Sequence, residues 1–375
     1  MKFMALGGTD YVGASCYYLE LGGQRFLLDC GGGTDPRHGG APDFDALLRQ
    51  ELFALDRLDG VILSHGHYDH VGGLETLRQL GCEAPVYATG LTIGLMDALL
   101  VDKQPLRSRE RGWERVSMEM RNTAEVRHVT PVCYGVPIQK GEVKITFYPA
   151  GHVPGAAMVY LESPEGSVLY TGDFKKESFG LTGGMALPEG LRADTLILCG
   201  THARHPNYVP VQTLEEQAVQ VRRLLEQGRA VHLRVCQLTK GMETAHWISR
   251  RVPEAEIYLD RDTWNLGEKL EEANHAAMLP NFRRESGQKL AQGVTIGGRP
   301  AHPWEIGMQV NISLHAVYRD CEELVDRLRP GTVFLVHAPR DTRHLGGDDA
   351  LARRFAPNTV FVDPVCGHLY SNEPV

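Results

Sequence analysis

His65-Gly66-His67-Tyr68-Asp69-His70 puts three imidazoles and a carboxylate into six residues, directly after the apolar run Gly60-Val61-Ile62-Leu63. No other stretch restricts the fold as strongly. Neutral imidazole and carboxylate are the ligands that zinc and similar divalent ions take. A centre that keeps coordination positions open for water draws such ligands from loops mounted on a rigid sheet. A strand feeding this loop therefore points to a layered α/β protein arranged around metal.

The flanking sequence fits that architecture. Tyr17 to Leu21 and Arg25 to Asp29 read as two strands around Gly22-Gly23, a hairpin turn, and Cys30-Gly31-Gly32-Gly33 ends the second strand. A helix is expected from Phe44 to Leu55, a strand from Gly60 to Leu63, and a helix from Leu74 to Leu80 stopped by Gly81. Lys144 to Pro149, Ser167 to Thr171 and Thr195 to Cys199 have strand composition. From about His205 to Pro300 the character changes. A helix over Thr213 to Gln227, a strand over Ala230 to Val235 and a helix over Met242 to Arg251 give way to polar, weakly periodic sequence. This is the candidate inserted unit, dividing the chain into 1–204, 205–300 and 301–375. Val310 to Leu314 and Val333 to Val336 look like strands bracketing an amphipathic helix, Asp320 to Leu328, that stops before Pro330-Gly331.

At 375 residues the chain is long for a single core. Its eight cysteines lie far apart with no C-x-x-C pair, and so read as reduced thiols of a cytoplasmic protein. Met1 to Asp10 lacks the layout of a signal peptide, and no uncharged apolar run approaches the roughly 18 residues of a membrane span, so no membrane partner is expected. A net charge of −8 argues against a surface coated for nucleic acid but leaves room for a local basic groove. Lys103, Arg107, Arg109, Arg111, Arg115 and Arg121, with Trp113 among them, form either a solvated helix face or a phosphate-facing rim.

Two more strand ends carry candidate ligands: Gly151-His152-Val153-Pro154-Gly155 and Thr171-Gly172-Asp173-Phe174. A dinuclear centre needs one further imidazole and a carboxylate able to bridge two cations, and His152 and Asp173 supply them. Asp29, at the end of the second hairpin strand, suits an outer carboxylate that fixes a histidine tautomer. One such residue would be unremarkable, but four strand ends in succession are not.

Asp29, the H-x-H-x-D-H loop, His152 and Thr171-Gly172-Asp173 resemble the four successive motifs of the metallo-β-lactamase fold. Ser313-Leu314-His315-Ala316 and, further on, Val333-Phe334-Leu335-Val336-His337 resemble the "S-x-H-A" and "V-x-L-V-H" motifs of the β-CASP nucleases, the branch that cleaves nucleic acids. The resemblance runs from Gly7 to roughly Pro339. It implies a four-layered αββα metallo-β-lactamase fold with an inserted, shortened β-CASP-like α/β unit. It further implies two Zn2+ ions, with Mn2+ as an alternative: one on His65, His67 and His152, the other on Asp69, His70 and His337, with Asp173 bridging. Asp69 and His315 are then the catalytic residues, His315 facing the scissile phosphate as general acid or as phosphate binder. The implied substrate is RNA or single-stranded DNA. His337 resembles the RNA-cleaving members, and Lys175 and Lys240 are candidate substrate-binding residues. Homodimers are a further expectation from the family.

The sequence also departs from the family. Asp194 to His202 follows "D-x-L-I-x-E-S-T-Y" but has Cys199 at the acidic position, and Leu238-Thr239-Lys240-Gly241-Met242-Glu243 matches "L-G-R-x-Q-E" loosely, with lysine for arginine. The insertion is short. A small-molecule hydrolase of the same fold, acting on a thioester, lactone or cyclic phosphodiester, and a degenerate protein that binds RNA or a partner without turnover are the alternatives.

Overall fold

The computed structural model of the chain describes residues 1–33, 41–49, 57–101, 128–209, 213–339 and 350–371. The basic stretch Lys103 to Arg121 and residues 50–55 of the first expected helix lie outside them. Strand β1 (Lys2–Gly7) pairs antiparallel with β2 (Cys16–Leu21), which turns through Gly22 and Gly23 into β3 (Gln24–Leu28). Both turn glycines have positive φ, 53° and 69°, as a tight hairpin of this hand requires. The sheet continues in parallel through β4 (Gly60–Ile62), β5 (Val86–Thr89) and β6 (Val129–Val132). Parallel neighbours need crossovers, and these contain α1 (Asp45–Arg49), α2 (Tyr68–Val71), α3 (Leu74–Gln79) and α4 (Gly90–Val101). Met4, Leu27, Val61 and Val86 on one face of the sheet share a core with Leu47, Leu74, Leu77 and Met96 of these helices.

The second sheet begins with β7 (Ile138–Lys140), β8 (Val143–Pro149), β9 (Ala157–Ser163), β10 (Gly166–Tyr170) and β11 (Thr195–Cys199). In β8, Val143, Ile145 and Phe147 are buried on the side facing the first sheet, Lys144 is exposed and Thr146 is buried. Those three apolar residues, with Val159, Leu161 and Ile197, pack against Phe3, Tyr17, Leu19, Phe26 and Leu28 of the first sheet. The two sheets thus face one another across a shared core.

The chain then forms a five-stranded sheet of β12 (Ala230–Arg234), β13 (Ile257–Leu259), β14 (Phe282–Arg284), β15 (Gly293–Gly297) and β16 (Glu305–Gln309), in the order β14-β13-β15-β12-β16. Every pairing in it is parallel. Helix α5 (Leu214–Glu226) precedes β12 in sequence, and α6 (Leu238–Arg251) and α7 (Arg261–Asn274) lie between its strands. Afterwards α8 (Tyr318–Leu328), β17 (Thr332–Val336), α9 (Ala350–Phe355) and β18 (Val360–Val362) follow, β17 and β18 joining the second sheet beside β11. Strand β19 (Leu369–Ser371) pairs with β1. Buried Cys321, Leu324, Val325 and Leu328 give α8 an apolar stripe. This is the mixed, layered α/β architecture that the resemblance implies.

Two compact units result: 1–176 with 185–208 and 315–375, and 209–314 with 177–184. The expected boundaries were 205 and 300. Pairing of β16 with β12 carries 305–309 into the second unit, and the buried carboxylate of Glu243 carries in 177–184. That carboxylate accepts the N–H groups of Gly180, Leu181 and Thr182 at 3.0, 2.8 and 3.2 Å and the Thr182 hydroxyl. The strand expected at Val310 to Leu314 is absent; the strand there is Glu305–Gln309. The polar sequence after Arg251 contains β13, α7, β14 and β15.

Candidate metal centre

Residues of the first unit that end its strands converge on one place. Asp29 follows β3, His65 follows β4, and the short α2 carries Asp69 and His70. His152 follows β8, Asp173 follows β10, His315 precedes α8 and His337 follows β17. Asp29 and His337 adopt left-handed backbone, φ 58° and 49°, which non-glycine residues hold only where their surroundings enforce it. The metal loop is pinned through its carbonyls: Ser15 N–H donates to Asp69 O and Cys30 N–H to His70 O, both at 2.9 Å. Gly31 makes this approach possible, because a Cβ there would lie 1.8 Å from Asp69 O.

Two triads of donor atoms form. His65 Nε2 and His152 Nε2 lie 3.2 and 3.3 Å from His67 Nδ1. Asp69 Oδ2 lies 3.9 Å from both His70 Nε2 and His337 Nε2. Asp173 stands between the triads. Its Oδ2 is 3.9, 3.7 and 3.7 Å from the ring nitrogens of His65, His70 and His152, and its Oδ1 is 3.8 Å from His337 Nε2. His315 Nδ1 approaches the same carboxylate at 3.5 Å. Of the candidate ligands, His65, His70, His152, Asp173 and His337 are buried, His67 is half-buried and Asp69 is 16% exposed, and beside them His315 is 29% exposed.

Outer partners aim the inner nitrogens. Asp29 accepts from His70 Nδ1 at 2.7 Å, from Ser64 N–H and Oγ–H at 2.6 and 2.7 Å, and from the Tyr170 hydroxyl. Ser15 Oγ lies 2.9 Å from His337 Nδ1, and Ser64 Oγ 3.0 Å from His65 Nδ1. With Nδ1 engaged on His65, His70 and His337, Nε2 of each faces the centre.

The electrostatics match this grouping. Burial, reinforced by neighbouring imidazoles, holds His65 well below the usual histidine range and lowers His67 to about 3. Burial also opposes protonation of His70, but Asp173, Asp29 and Asp69 prevail and raise it to about 9. Burial would raise the Asp173 carboxyl, yet His337, His70, His315 and His152 hold it well below the carboxylate range.

This donor set fits metal. Nε2 of His70, Nε2 of His337 and Oδ1 of Asp173 are buried with no hydrogen-bond partner, a costly state that bound cations resolve. Zinc–nitrogen distances of about 2.0–2.1 Å in a tetrahedron separate the donors by roughly 3.3 Å, the spacing seen in the His65–His67–His152 triad.

Residues 9–184 match the Metallo-beta-lactamase superfamily. The chain carries a metallo-β-lactamase domain. That match includes Asp29, the histidine loop, His152 and Asp173. Transcription termination factor FttA of Methanothermobacter thermautotrophicus is 30% identical over 276 residues, 70% of this chain and 42% of that one. Ribonuclease TTHA0252 of Thermus thermophilus is 30% identical over 271 residues, 69% of this chain and 58% of that one. Endoribonuclease ysh1 of Aspergillus fumigatus is 24% identical over 377 positions, 96% of this chain and 41% of that one. The chain thus spans about half the length of the relatives it matches. A crystal structure of a protein of unknown function from Enterococcus faecalis V583 shares the fold, with a TM-score of 0.63 and 15% identity over 98% of this chain and 99% of that one. The resemblance read from the motifs is borne out.

Lys175 lies two residues beyond Asp173 in the first unit, whereas Lys240 lies on α6 of the second. At the position where the family motif has an acid, Cys199 is buried, its N–H bonded to Thr171 Oγ1 at 2.9 Å. The Thr201 hydroxyl lies 3.4 Å from His315 Nδ1. Sequence reading missed Ser15, Ser64, Tyr170 and Thr201. Only Ser64, adjacent to the histidine loop, had a local signal.

Proposed function

We propose that this chain is a metal-dependent nuclease that hydrolyses phosphodiester bonds of RNA. The observation that carries the reading is a single carboxylate, Asp173, lying within 3.9 Å of histidines from two donor triads and of the partly open His315. In this reading His65, His67 and His152 hold one ion, Asp69, His70 and His337 hold another, and Asp173 is common to both. The histidine-rich donor set favours zinc, and the carboxylates also suit manganese. A pair of such ions makes water acidic enough to attack at neutral pH and offsets charge on phosphoryl oxygens.

The protein's own groups do the rest. Asp29, Ser64 and Ser15 keep the ligand rings in register, so no reorganisation is needed when substrate arrives. His315 donates an N–H to the scissile phosphate or its leaving oxygen. Lys175, two residues beyond Asp173, adds positive charge for the strand. The names of the relatives, ribonuclease and endoribonuclease among them, support RNA as the polymer.

The test is metal content together with cleavage of end-labelled single-stranded RNA by wild type and Asp69→Ala. The wild type should hold close to two ions per chain and shorten the RNA, and the variant should lose both properties. A wild type that turns over a small phosphodiester or ester while leaving RNA intact replaces the nuclease with a small-molecule hydrolase. RNA binding without turnover replaces it with a scaffold.

A further inference from the structure

The loop after β11 holds an aromatic pair that the ligand set does not use. Ala203 N–H donates to Gly200 O at 3.0 Å, His205 N–H to His202 O at 3.1 Å, and Tyr208 N–H to His205 O at 2.9 Å. These successive turns bring Tyr208 back onto His202, and the two rings stack with centroids 4.1 Å apart and planes 22° from parallel. His202 in turn meets His315 edge-on, at 6.1 Å and 88°. Tyr208 is therefore one stacked ring removed from the open face of the centre.

The pair is held firmly at its base. Gly200 N–H donates to Val336 O at 2.9 Å, one residue before His337. Arg204, buried at 4% exposure, pairs with Asp363 at 2.5 Å. The arginine of this loop is thus committed to holding it in place, so the loop offers substrate a π surface in place of a phosphate clamp. Tyr208 itself is 40% exposed although one side of its ring lies against His202. A large, pre-ordered aromatic open to solvent beside a reacting centre suits a flat ligand, which binds it with little loss of side-chain freedom.

We propose that the His202–Tyr208 stack is a subsite for one unpaired nucleobase adjoining the phosphate that faces His315. This rests on the nuclease reading above. Every base has a π face, so the subsite grips without reading sequence. Bases in a duplex are already stacked on their neighbours, so it also selects single strands.

The test compares steady-state cleavage of a short single-stranded RNA by wild type, Tyr208→Ala and Tyr208→Phe. Each acts on the complete strand and on strands in which one nucleotide at a time lacks its base. Tyr208→Ala should raise KM about 5- to 150-fold, the range of a lost base–aromatic stack, and Tyr208→Phe should restore it. The penalty should vanish on the one strand that lacks the stacking base. Normal KM in Tyr208→Ala, or an equal penalty on every strand, overturns the subsite alone. A wild type that neither binds nor cleaves RNA removes the nuclease reading and the subsite with it.

Discussion

Asp29→Asn removes one charge and almost no volume, so it isolates what the buried carboxylate does. Four donors reach Asp29: Ser64 N–H at 2.6 Å, Ser64 Oγ–H at 2.7 Å, His70 Nδ1–H at 2.7 Å and the Tyr170 hydroxyl. An amide has one oxygen to offer them. If that oxygen stays with His70, the amide nitrogen faces the Ser64 N–H, and a buried donor is left unmet at about 1–3 kcal/mol. If it turns to Ser64, His70 loses its acceptor and relaxes to the tautomer protonated on Nε2. That proton occupies the lone pair directed at Asp69 and His337. Losing such an orienting partner costs about 10–100-fold in metal affinity. Zinc affinity measured by competition with a chromophoric chelator, and urea unfolding of the metal-free protein, read the two effects separately. We expect a loss of about 1–3 kcal/mol in stability if the amide oxygen stays with His70, and an about 10–100-fold weaker second zinc if it turns to Ser64. Wild-type affinity together with a wild-type unfolding midpoint would refute the idea that Asp29 fixes the His70 tautomer.

His337→Ala should leave the His65–His67–His152 triad intact and lower bound zinc from two per chain toward one, measured by elemental analysis after dialysis; an unchanged stoichiometry contradicts the assignment of His337. Gly31→Ala would set a Cβ 1.8 Å from Asp69 O, so the loop must move, at about 1–3 kcal/mol; denaturant unfolding that matches wild type would show that the loop yields freely. Glu305, 1% exposed and paired with Arg299 at 2.9 Å, titrates at about 2: burial acts to raise it, but hydrogen bonds from Arg299, Thr295 and His302 outweigh that. Its folded-state value lies below the ordinary one, so the stability it confers is present above the ordinary glutamate range and disappears as pH falls from about 5 to 2, amounting to at most about 3 kcal/mol. Urea unfolding at pH 7 and pH 3 should show this difference shrink in Glu305→Gln, and an equal pH response in both proteins would remove Glu305 as its source.

The donor set was legible because each member sits just beyond a locally recognisable strand or in a dense histidine motif, and strand ends in a layered α/β fold gather on one side. The partners were not. Ser15 is an ordinary serine between strands, and Tyr170 reads as one more core aromatic until its hydroxyl is seen against Asp29. Strand β1 escaped because Lys-Phe-Met-Ala-Leu-Gly contains no β-branched residue. Helix α7 escaped because only Thr263, Leu266, Gly267 and Leu270 are buried along its 14 residues, too thin a stripe to stand out from its charges. Val310 to Leu314 misled for the opposite reason. Val310, Ile312 and Leu314 alternate and are buried, yet the pairing beside β12 is taken by the less apolar Glu305–Gln309, and alternation alone names no partner.

The order of ligands along the chain has a consequence for biosynthesis. His65, His67 and His152 precede the second unit, and His337 follows all of it. On the proposed assignment, a nascent polypeptide emerging from the ribosome would have the donors for a first cation early, but those for another only once β17 and His337 have been translated. A product truncated within the intervening unit would then keep His65, His67 and His152 but lack His337.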